Sequence, residues 1–476
     1  MKKFVKLMLC IMFLSVLLGA PQSVSAKTNK GINIKKTFAK GIRYEMSRKV
    51  YDKNQDGYLD KREVKSIKKL FLYTYQNEYI NENFNLRGIS KLKYVEKIYF
   101  DAEGYAFNLQ EIKKFRNLKS VEIKTKLKKA KILDFRKSKN IKNLDLSMLT
   151  KTAVVKVREK NKIENLYLEG IKNSISVANK CSHAKKIDIL GNKNKSSLNL
   201  INRKKLTNLY LFDVKKIKNL NIENCPKLEK IYVSETDTIN FNIKSNAKLK
   251  NARIYDSKIV NWTMDNLDEL RTLEIGNVEL SSILMNALNN LKKVEMDKVK
   301  KLSQLSFSNL IRLQEINILH AKKLISLSLD NLPRLKKVSC AVGVLRELNI
   351  NGKNDIREMS LGNNKLTRFS YTNLQKLNRL FIHNNQLEGR FDMTLYPCLD
   401  DFNCSHNRLT EIYGGTIDEA ISYINCNNNQ LKLIDFRGMK NGYILGLDCK
   451  NNPNVEIYGV VEDGSWDASA KYYCTV

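Results

Sequence analysis

A short apolar pattern that recurs at a fixed interval constrains the fold of this chain more than any other feature. The pattern is Leu-x-x-Leu-x-Leu, represented for example by Leu313, Ile316 and Ile318. A constant period of this length is typical of a solenoid, in which each repeat forms one coil and neighbouring coils share one core. The central apolar residue recurs in seventeen copies at steps of 21 to 23 residues, at Ile98, Val121, Leu144, Leu166, Ile187, Leu209, Ile231, Ala252, Leu273, Val294, Ile316, Val338, Met359, Leu380, Phe402, Ile424 and Leu447.

Each repeat contains two apolar stretches. Around the central residue, apolar and outward positions alternate, which predicts a half-buried β-strand. A second apolar triplet precedes the central residue by 14, 11 and 9 positions, as Leu302, Leu305 and Phe307 precede Ile316. We therefore expect two extended edges in every coil and β-structure on both faces of the solenoid.

The pattern resembles the leucine-rich-repeat family, in particular the secreted bacterial repeats of about 22 residues. The resemblance is clearest near the C-terminus, where the turn asparagine of that family stands at Asn364, Asn385, Asn407, Asn429 and Asn452. Upstream this position holds other residues, such as Glu103, Leu149 and Val278. The resemblance implies a leucine-rich-repeat solenoid of parallel, β-rich coils with about 17 repeats. It also implies a surface or secreted recognition protein, without specifying a ligand.

Residues 1–26 have the three parts of a secretory signal peptide. A basic N-terminal region with three lysines precedes an apolar stretch over 7–20. Small residues ending at Ala26 form a cleavage site. The apolar stretch is too short to span a bilayer. We expect the mature chain to begin at Lys27 and to be secreted, or held at the cell surface without a covalent anchor.

The formal net charge of the whole chain is +35, and removal of the three lysines of the predicted signal peptide leaves +32. A charge of this size favours anionic partners such as cell-wall polymers. The same excess of lysine is also consistent with a general compositional bias, because the chain is rich in Lys, Asn and Ile together. Nucleic acid is not expected as a partner, since the chain contains no recognised nucleic-acid-binding motif and is predicted to be exported.

The mature chain contains eight cysteines, and an even number in an exported protein permits a disulfide framework. The repeat register instead assigns six of them to core positions, where cysteine acts as a small hydrophobic residue. These six are Cys181, Cys225, Cys340, Cys404, Cys426 and Cys449. Cys398 is predicted on an outward turn and Cys474 lies in the tail, so a bond between Cys474 and the last coils stays open. A flat ladder of cysteines does not favour a tetrahedral zinc site.

Between the signal peptide and the repeats, one motif indicates specific chemistry. The stretch from Asp52 to Glu63 matches an EF-hand calcium loop, with Gly57 at its sharp turn. Calcium takes six to eight hard oxygen ligands, and alternate residues of a tight loop can all direct oxygens inward. The predicted Ca²⁺ ligands are Asp52, Asn54, Asp56, the Tyr58 carbonyl, Asp60 and Glu63. The alternative is an acidic turn that only resembles the motif.

The segments that flank this loop have apolar spacing typical of helices, and we predict helices over 42–51 and 61–72, with Leu59 anchoring the loop to them. A single EF-hand lacks a paired second hand, so we expect weak binding near millimolar affinity. The arrangement resembles secreted leucine-rich-repeat proteins of low-GC Gram-positive bacteria, in which the calcium-binding helices cover the first coil. It implies an EF-hand cap over 27–75, a solenoid over 76–454 and a C-terminal cap over 455–476.

Outward strand residues would line the concave face of the solenoid. In the middle coils, aromatic residues and one arginine are concentrated there, a composition typical of interface hot spots and suited to stacking on sugar rings. The predicted ligand-binding residues are Tyr167, Tyr210, Phe212, Tyr232, Arg253 and Tyr255. The alternative is that tyrosine simply suits an exposed strand.

Catalysis is not expected. The four histidines are scattered over different coils and offsets. Glu274 and Glu295 lie in neighbouring coils, and such a pair suits glycoside hydrolysis only within a cleft, which the pattern does not imply. The sequence therefore predicts a calcium-binding recognition or adhesion module for a protein or glycan ligand. The alternative function is a basic, wall-associated structural protein without a discrete ligand.

Overall fold

The computed structural model describes residues 31–73, 84–126, 132–149, 153–414, 421–439, 444–452, 454–460 and 466–473. The predicted signal peptide and Cys474 lie outside these ranges. Within them, the helices are all too short or too polar to cross a membrane.

One long parallel sheet runs through the solenoid. Each strand pairs with the strands of the preceding and following coils, and no pairing among the described strands joins the first to the last. The strands of this long sheet are Lys69–Tyr73, Lys97–Phe107, Ser120–Lys126, Asn143–Ser147, Asn165–Glu169, Lys186–Asn192, Asn208–Val214, Lys230–Ser234, Asn251–Tyr255, Thr272–Gly276, Lys293–Asp297, Glu315–Leu319, Lys337–Ala341, Glu358–Ser360, Arg379–Phe381, Asp401–Asn403, Tyr423–Asn425 and Leu447–Asp448.

The predicted repeat register is confirmed at every coil. The seventeen central residues pair with one another in sequence order, so that Ile316, for example, faces Val294 on one side and Val338 on the other. From Ile98 to Ile424 these residues are buried, while Leu447 in the last coil is partly buried. The apolar pattern therefore forms a continuous aliphatic stack along the inner side of the sheet.

Shorter sheets lie on the opposite side of the coils, which confirms the prediction of β-structure on both faces. Leu305 and Phe307 of the second apolar triplet lie in such a strand, and Leu302 is buried just before it. The strands of these opposite sheets are Ile132–Asp134 and Val154–Lys156; Ser196–Ile201, Ile217–Glu223, Asp237–Lys244, Lys258–Asp265 and Glu279–Asn286; Gln304–Ser308, Ser326–Leu332 and Glu347–Asn354; and Glu388–Asp392, Arg408–Tyr413, Leu433–Asp435, Glu456–Val460 and Trp466–Tyr473.

A few coils contain a short helix. The helix Ser174–Lys180 and the 3₁₀ helices Ile89–Lys91, Leu109–Lys114 and Met393–Leu395 lie between strands of the long sheet. The short strand Phe84–Asn85 pairs with the end of Lys97–Phe107. At the C-terminal end, Trp466–Tyr473 pairs antiparallel with Glu456–Val460, where the repeat pattern has ended.

The N-terminal segment differs from the predicted pair of longer helices. Its helices are Ile34–Thr37, Lys40–Met46 and Lys61–Ser66, and the strand Ile32–Asn33 pairs antiparallel with Tyr58–Leu59. The prediction of a helix over 61–72 is wrong beyond Ser66, because Lys69–Tyr73 is the first strand of the long sheet. Leu70 and Leu72 are buried while their neighbours are exposed, which is the alternation of a strand.

The cysteine predictions are largely confirmed. Cys181, Cys225, Cys340, Cys404 and Cys426 are free and buried, and Cys398 is free and exposed. Burial raises the pKa of the Cys181 and Cys340 thiols to about 12, which keeps them protonated and unreactive. Cys449 departs from its predicted role as a core filler, since it is buried but disulfide-bonded.

From the strand Asn143–Ser147 onward, a left-handed corner follows each strand of the long sheet, four residues after the central residue. This corner is occupied at Met148, Gly170, Gly191, Asp213, Glu235, Asp256, Asn277, Lys298, His320, Val342, Asn363, Asn384, His406, Asn428 and Asn451, all with positive φ. Asparagine and glycine adopt this conformation readily, whereas a β-branched residue is strained in it. Val342, at φ +60 and exposed, is the β-branched member of the set.

We predict that Val342→Asn stabilises the protein by about 1 kcal/mol, because asparagine relieves the strain of a β-branched side chain in the left-handed region. Thermal melts followed by circular dichroism would test this. Val260→Asn, at a strand position without positive φ, is the control, and an equal gain in both variants would contradict the explanation.

Candidate functional site

The loop from Asp52 to Glu63 keeps its polar groups in a compact arrangement. Gly57 has φ +80, and a Cβ there would meet no atom within 4 Å, so glycine is required for conformation rather than for space. The Gly57 amide donates to Asp52 Oδ2 at 3.0 Å, the Asp56 amide to Asn54 Oδ1 at 3.2 Å, and the Tyr58 amide to Asp56 Oδ1 at 2.8 Å. These bonds fold the first half of the loop back on itself.

Glu63 closes the loop at its other end. Its Oε1 accepts from the Lys53 amide at 2.7 Å and its Oε2 from the Asp60 amide at 2.8 Å. Asp60 Oδ1 accepts in return from the Glu63 amide at 2.7 Å, which completes a capping box at the start of the helix Lys61–Ser66. Leu59 is fully buried, in agreement with its predicted role as an anchor.

Two carboxylates of this loop are buried, and neither forms an ion pair with a basic side chain in the described part of the chain. Asp52 is 2% exposed and Glu63 is 5% exposed, and Asp52 Oδ1 is a buried atom without a hydrogen-bond partner in the described structure. An unpaired buried carboxylate is costly unless a cation neutralises it. The donor set consists of oxygens only, which fits a hard cation such as Ca²⁺.

Side chains of His, Cys, Asp and Glu form no closed metal-holding group of three or more anywhere in the ranges that the structure describes. Calcium at this loop would therefore depend also on oxygens of other kinds, namely the Asn54 side-chain amide and the Tyr58 carbonyl. Asp52, Asn54, Asp56, Tyr58, Asp60 and Glu63 are the residues of the loop that would hold it.

On the outer side of the long sheet, which is the predicted concave face, five of the six predicted ligand-binding residues lie together. Tyr210, Tyr232 and Arg253 pair in one row, and the Tyr232 ring lies between Phe212 and Tyr255, at centroid distances of 5.0 and 6.0 Å. All four rings are half-buried. We call these five residues the aromatic strip.

Glu274 fixes one end of the aromatic strip. Its Oε2 lies 2.9 Å from Arg253 Nε and accepts from the Tyr255 hydroxyl, also at 2.9 Å. Burial, followed by this hydrogen bond, raises the pKa of Tyr255 to about 12, so its hydroxyl stays a donor at physiological pH. The Tyr255 ring lies over Gly276, where a Cβ would approach its Cδ1 to 2.5 Å. Glu274 and Gly276 therefore fix the positions of Arg253 and Tyr255 relative to each other.

The sixth predicted residue, Tyr167, lies apart from the strip because Asp188 stands between it and Tyr210 in the same row. Its hydroxyl donates to Glu169 Oε2 at 3.3 Å. Tyr167 borders a cleft of about 440 Å³ whose lining includes Glu122, Asp145 and Asp188. It thus belongs to an acidic neighbourhood rather than to the aromatic strip.

A second aromatic cluster was missed by sequence reasoning. Phe71, Tyr73 and Tyr99 meet on the first two strands, with the rings of Tyr73 and Tyr99 at 5.0 Å and those of Phe71 and Tyr99 at 6.3 Å. Phe71 and Tyr73 are exposed. The helix predicted through Leu72 concealed them, although the alternation of Leu70 and Leu72 was an available signal.

Charge is segregated across the outer side of the long sheet. At the strand starts an edge row carries lysines, including Lys97, Lys186 and Lys293. The next two rows of outward side chains lie one and three residues after the central inward residue of each strand. Between Phe71 and Asp297 these rows contain only two basic residues, Lys124 and Arg253. Their acidic residues number eight, namely Asp101, Glu122, Asp145, Glu169, Asp188, Glu274, Glu295 and Asp297. A strongly basic protein thus presents an acidic and aromatic surface on this sheet.

Comparisons with known proteins find solved structures only. No family model and no curated protein sequence matches the chain. The functional domain of InlJ from Listeria monocytogenes, described as including a cysteine ladder, is 14% identical, with 84% of each chain covered and a TM-score of 0.38. The internalin inlF of the same organism is 18% identical, with 80% of this chain and 93% of that chain covered and a TM-score of 0.36.

A leucine-rich-repeat protein of Leptospira interrogans is 17% identical, with 73% of this chain and 92% of that chain covered and a TM-score of 0.33. Likenesses at this level carry no argument about function. The class of the fold, a parallel β-solenoid with leucine-rich repeats of about 22 residues, rests on the strand pairing and burial of this chain.

We predict a pH-dependent stability contribution from Asp145. Burial, followed by the charge of Glu122, raises the pKa of this carboxyl to about 6, above its ordinary value of 3.8. The folded state therefore binds the proton more tightly, and the stabilisation present at low pH is lost as the pH rises through about 6. Asp145→Asn should raise stability at pH 7.5 by on the order of 1 kcal/mol, after discounting for solvent screening, and change little at pH 3.5.

Thermal melts of wild type and variant across this pH range would measure the effect. Asp268→Asn, at an exposed turn off the sheet, is the matched control. A gain at pH 7.5 that is equal in both variants would assign the effect to net charge rather than to the environment of Asp145.

Proposed function

We propose that the protein is a recognition or adhesion module of the cell exterior that binds a protein ligand on the outer side of its long sheet. The aromatic strip carries this proposal. Aromatic rings and an arginine that are held on an exposed sheet supply large contact area at little cost in conformational entropy, as in interface hot spots. A glycan is the alternative ligand, because half-buried tyrosine rings also suit stacking on sugars.

A discrete ligand can be sought by selecting binders from a displayed library of protein domains against the chain from Lys27 to Val476. We expect selected binders to lose at least tenfold in affinity for the double variant Tyr232→Ala and Arg253→Ala, because truncation of hot-spot residues costs more than about 1.4 kcal/mol. Biolayer interferometry would measure the loss.

The matched control is Leu284→Ala, which truncates an exposed apolar side chain on the opposite sheets. Binders that are indifferent to both variants would contradict a ligand site at the aromatic strip. Binding to a glycan array instead, with the same dependence on Tyr232 and Arg253, would favour the glycan alternative.

The N-terminal loop is proposed to bind Ca²⁺ and to stabilise the start of the solenoid. The buried, unpartnered Asp52 Oδ1 supports this, as does the all-oxygen donor set of the loop. Weak, extracellular-type affinity is expected, because the partner strand of the loop is the short Ile32–Asn33 rather than a second calcium loop.

We predict that calorimetric titration of the chain from Lys27 to Val476 detects one Ca²⁺ site near millimolar affinity and that Ca²⁺ raises the melting temperature. Asp52→Asn should abolish both effects, while Asp268→Asn should leave both unchanged. Retention of the site in Asp52→Asn would place the ion elsewhere, and absence of any heat in wild type would remove calcium from the proposal.

The alternative function is retention in an anionic cell wall by charge alone, which the net charge favours. Retention of that kind should vanish as salt screens the charges, whereas binding through the aromatic strip should persist. Release of the protein from isolated walls by rising salt, in wild type and in the Tyr232→Ala and Arg253→Ala variant alike, would favour this alternative.

A further inference from the structure

We propose that the surface around Asp145 receives a lysine or arginine side chain of the partner protein, so that the recognition face selects a ligand with a basic segment. We call this surface, formed by Glu122, Asp145, Tyr167 and Asp188, the acidic cradle. The inference deepens the proposed function and rests on it, since it names the chemistry of the protein ligand.

At two neighbouring positions on this sheet, a lysine of the chain itself lies beside a carboxylate and a tyrosine ring. Lys124 Nζ lies 2.9 Å from Glu122 Oε1 and 5.7 Å from the centre of the Tyr99 ring. Lys186 Nζ lies 3.9 Å from Asp188 Oδ2 and 5.1 Å from the centre of the Tyr210 ring. A carboxylate beside an aromatic face thus holds an ammonium group twice on this sheet, by ion pairing together with a cation–π contact.

Asp145 has similar surroundings, but no lysine among the described residues forms an ion pair with it, although Lys186 lines the same cleft and the charge of Lys124 lowers its pKa. Asp145 pairs with Tyr167 of the next strand, and Asp188 pairs in the same way with Tyr210. A carboxylate and a tyrosine ring therefore face each other in both places. Two residues before Asp188 stands Lys186, but two residues before Asp145 stands Asn143. The next position of that edge row is also an asparagine, Asn165, whose amide donates to Asn143 Oδ1 at 2.7 Å.

Two polar atoms of this surface are buried without a partner, which is consistent with binding of an external ligand. Asp145 Oδ1 and Ser147 Oγ are both buried atoms without a hydrogen-bond partner in the described part of the chain. Burial and the negative charge of Glu122 hold the pKa of Asp145 at about 6, although Lys124 acts in the opposite direction. A cation from outside would pair with Asp145 and remove this penalty.

The geometry favours a side chain over a metal ion. Glu122 and Asp145 lie on neighbouring strands about 4.8 Å apart, whereas Asp188 lies two strands away from Asp145, and among the described residues these carboxylates form no metal-holding group. The half-buried Tyr167 ring offers an apolar face to the methylene stem of a lysine or arginine, which a bare ion would not use. The cleft of about 440 Å³ leaves room for one such side chain.

The test measures binding of fluorescein-labelled octaarginine and octalysine to the chain from Lys27 to Val476 by fluorescence anisotropy, with octaglutamate as the reference peptide. Wild type is expected to bind the basic peptides. Asp145→Asn should weaken binding at least tenfold, and Asp268→Asn, which makes the same change of net charge off the sheet, less than twofold.

A second variant fills the cradle from within. Asn143→Lys reproduces the relation of Lys186 to Asp188 and Tyr210, so the new lysine should occupy the cradle and block the peptides without removing an acidic residue. It should also abolish the pH-dependent stability difference assigned to Asp145. This variant keeps the test decisive if Asp145→Asn were to alter folding.

Binding should also weaken as the pH falls below about 6, because protonation of Asp145 removes its charge. The charged and titratable groups that face Asp145 are Glu122, Lys124, Tyr167, Glu169, Lys186 and Asp188. In Asp145→Asn the residual, weaker binding should no longer change with pH in this range, and this result would support the assignment.

Several outcomes would overturn the inference. They are absence of peptide binding to wild type, equal binding to Asp145→Asn and wild type, or competition by spermine or Ca²⁺ as strong as by the peptides at equal charge. Dissociation of a dimer by Asp145→Asn in analytical ultracentrifugation would make the occupant a second copy of this chain. None of these outcomes affects the selection test on Tyr232 and Arg253, so failure here and failure of the proposed function are distinguishable.

Discussion

The in-register parallel ladder between coils is the interaction on which the rest of this structure depends. A single coil cannot bury its own apolar edge, so each central residue is buried only because the coils before and after supply its neighbours. Ala252 shows how strictly the register is kept, since this small residue pairs with Ile231 and Leu273 without a shift of the strands. Stability is therefore a sum of nearest-neighbour contacts, and an interruption in one coil affects mainly the coils beside it.

The same ladder determines the corners. From the coil of Leu144 onward, the chain turns away from the sheet at the same place in each coil, through a left-handed residue four positions after the central residue. In the C-terminal coils an asparagine follows this corner and links two coils. Asn407 Nδ2, for example, donates to the Ile382 carbonyl at 3.0 Å, and its Oδ1 accepts from the Leu387 amide, also at 3.0 Å. In earlier coils a buried apolar residue such as Val278 stands there instead, so packing replaces hydrogen bonding.

The sequence predicts those features of the structure that repeat with the apolar period. The period of apolar residues placed all seventeen central residues in the observed register, because burial leaves little freedom at those positions. The first coil escaped prediction, since Leu70 precedes Ile98 by 28 residues and also continues a helical spacing with Val64 and Ile67. The left-handed corners were not predictable either, because residues as different as Lys298, His320 and Val342 occupy them.

The candidate sites were predictable to different degrees for the same reason. The aromatic strip could be read from single residues once the register was known, so five of the six predicted ligand-binding residues are neighbours. The acidic cradle could not be predicted in this way, because it is recognised only when the residues at the same strand position in different coils are compared. Asn143 occupies the position that Lys186 occupies two coils later, which is visible only when the strands are aligned. The structure alone reveals that Asp145 Oδ1 is buried without a hydrogen-bond partner among the described residues.

A solenoid exposes a sheet edge at its first strand, and such an edge invites pairing with other chains unless it is covered. The N-terminal segment packs against this edge, where Phe38, Ile42 and Met46 are fully buried and the Tyr51 hydroxyl bonds the backbone of Phe71. The loop of Asp52 to Glu63 connects these residues, and its helix Lys61–Ser66 ends only three residues before the first strand begins. The loop therefore lies in the same continuous segment that covers the edge, so a change in the loop acts directly on the cover of the first strand.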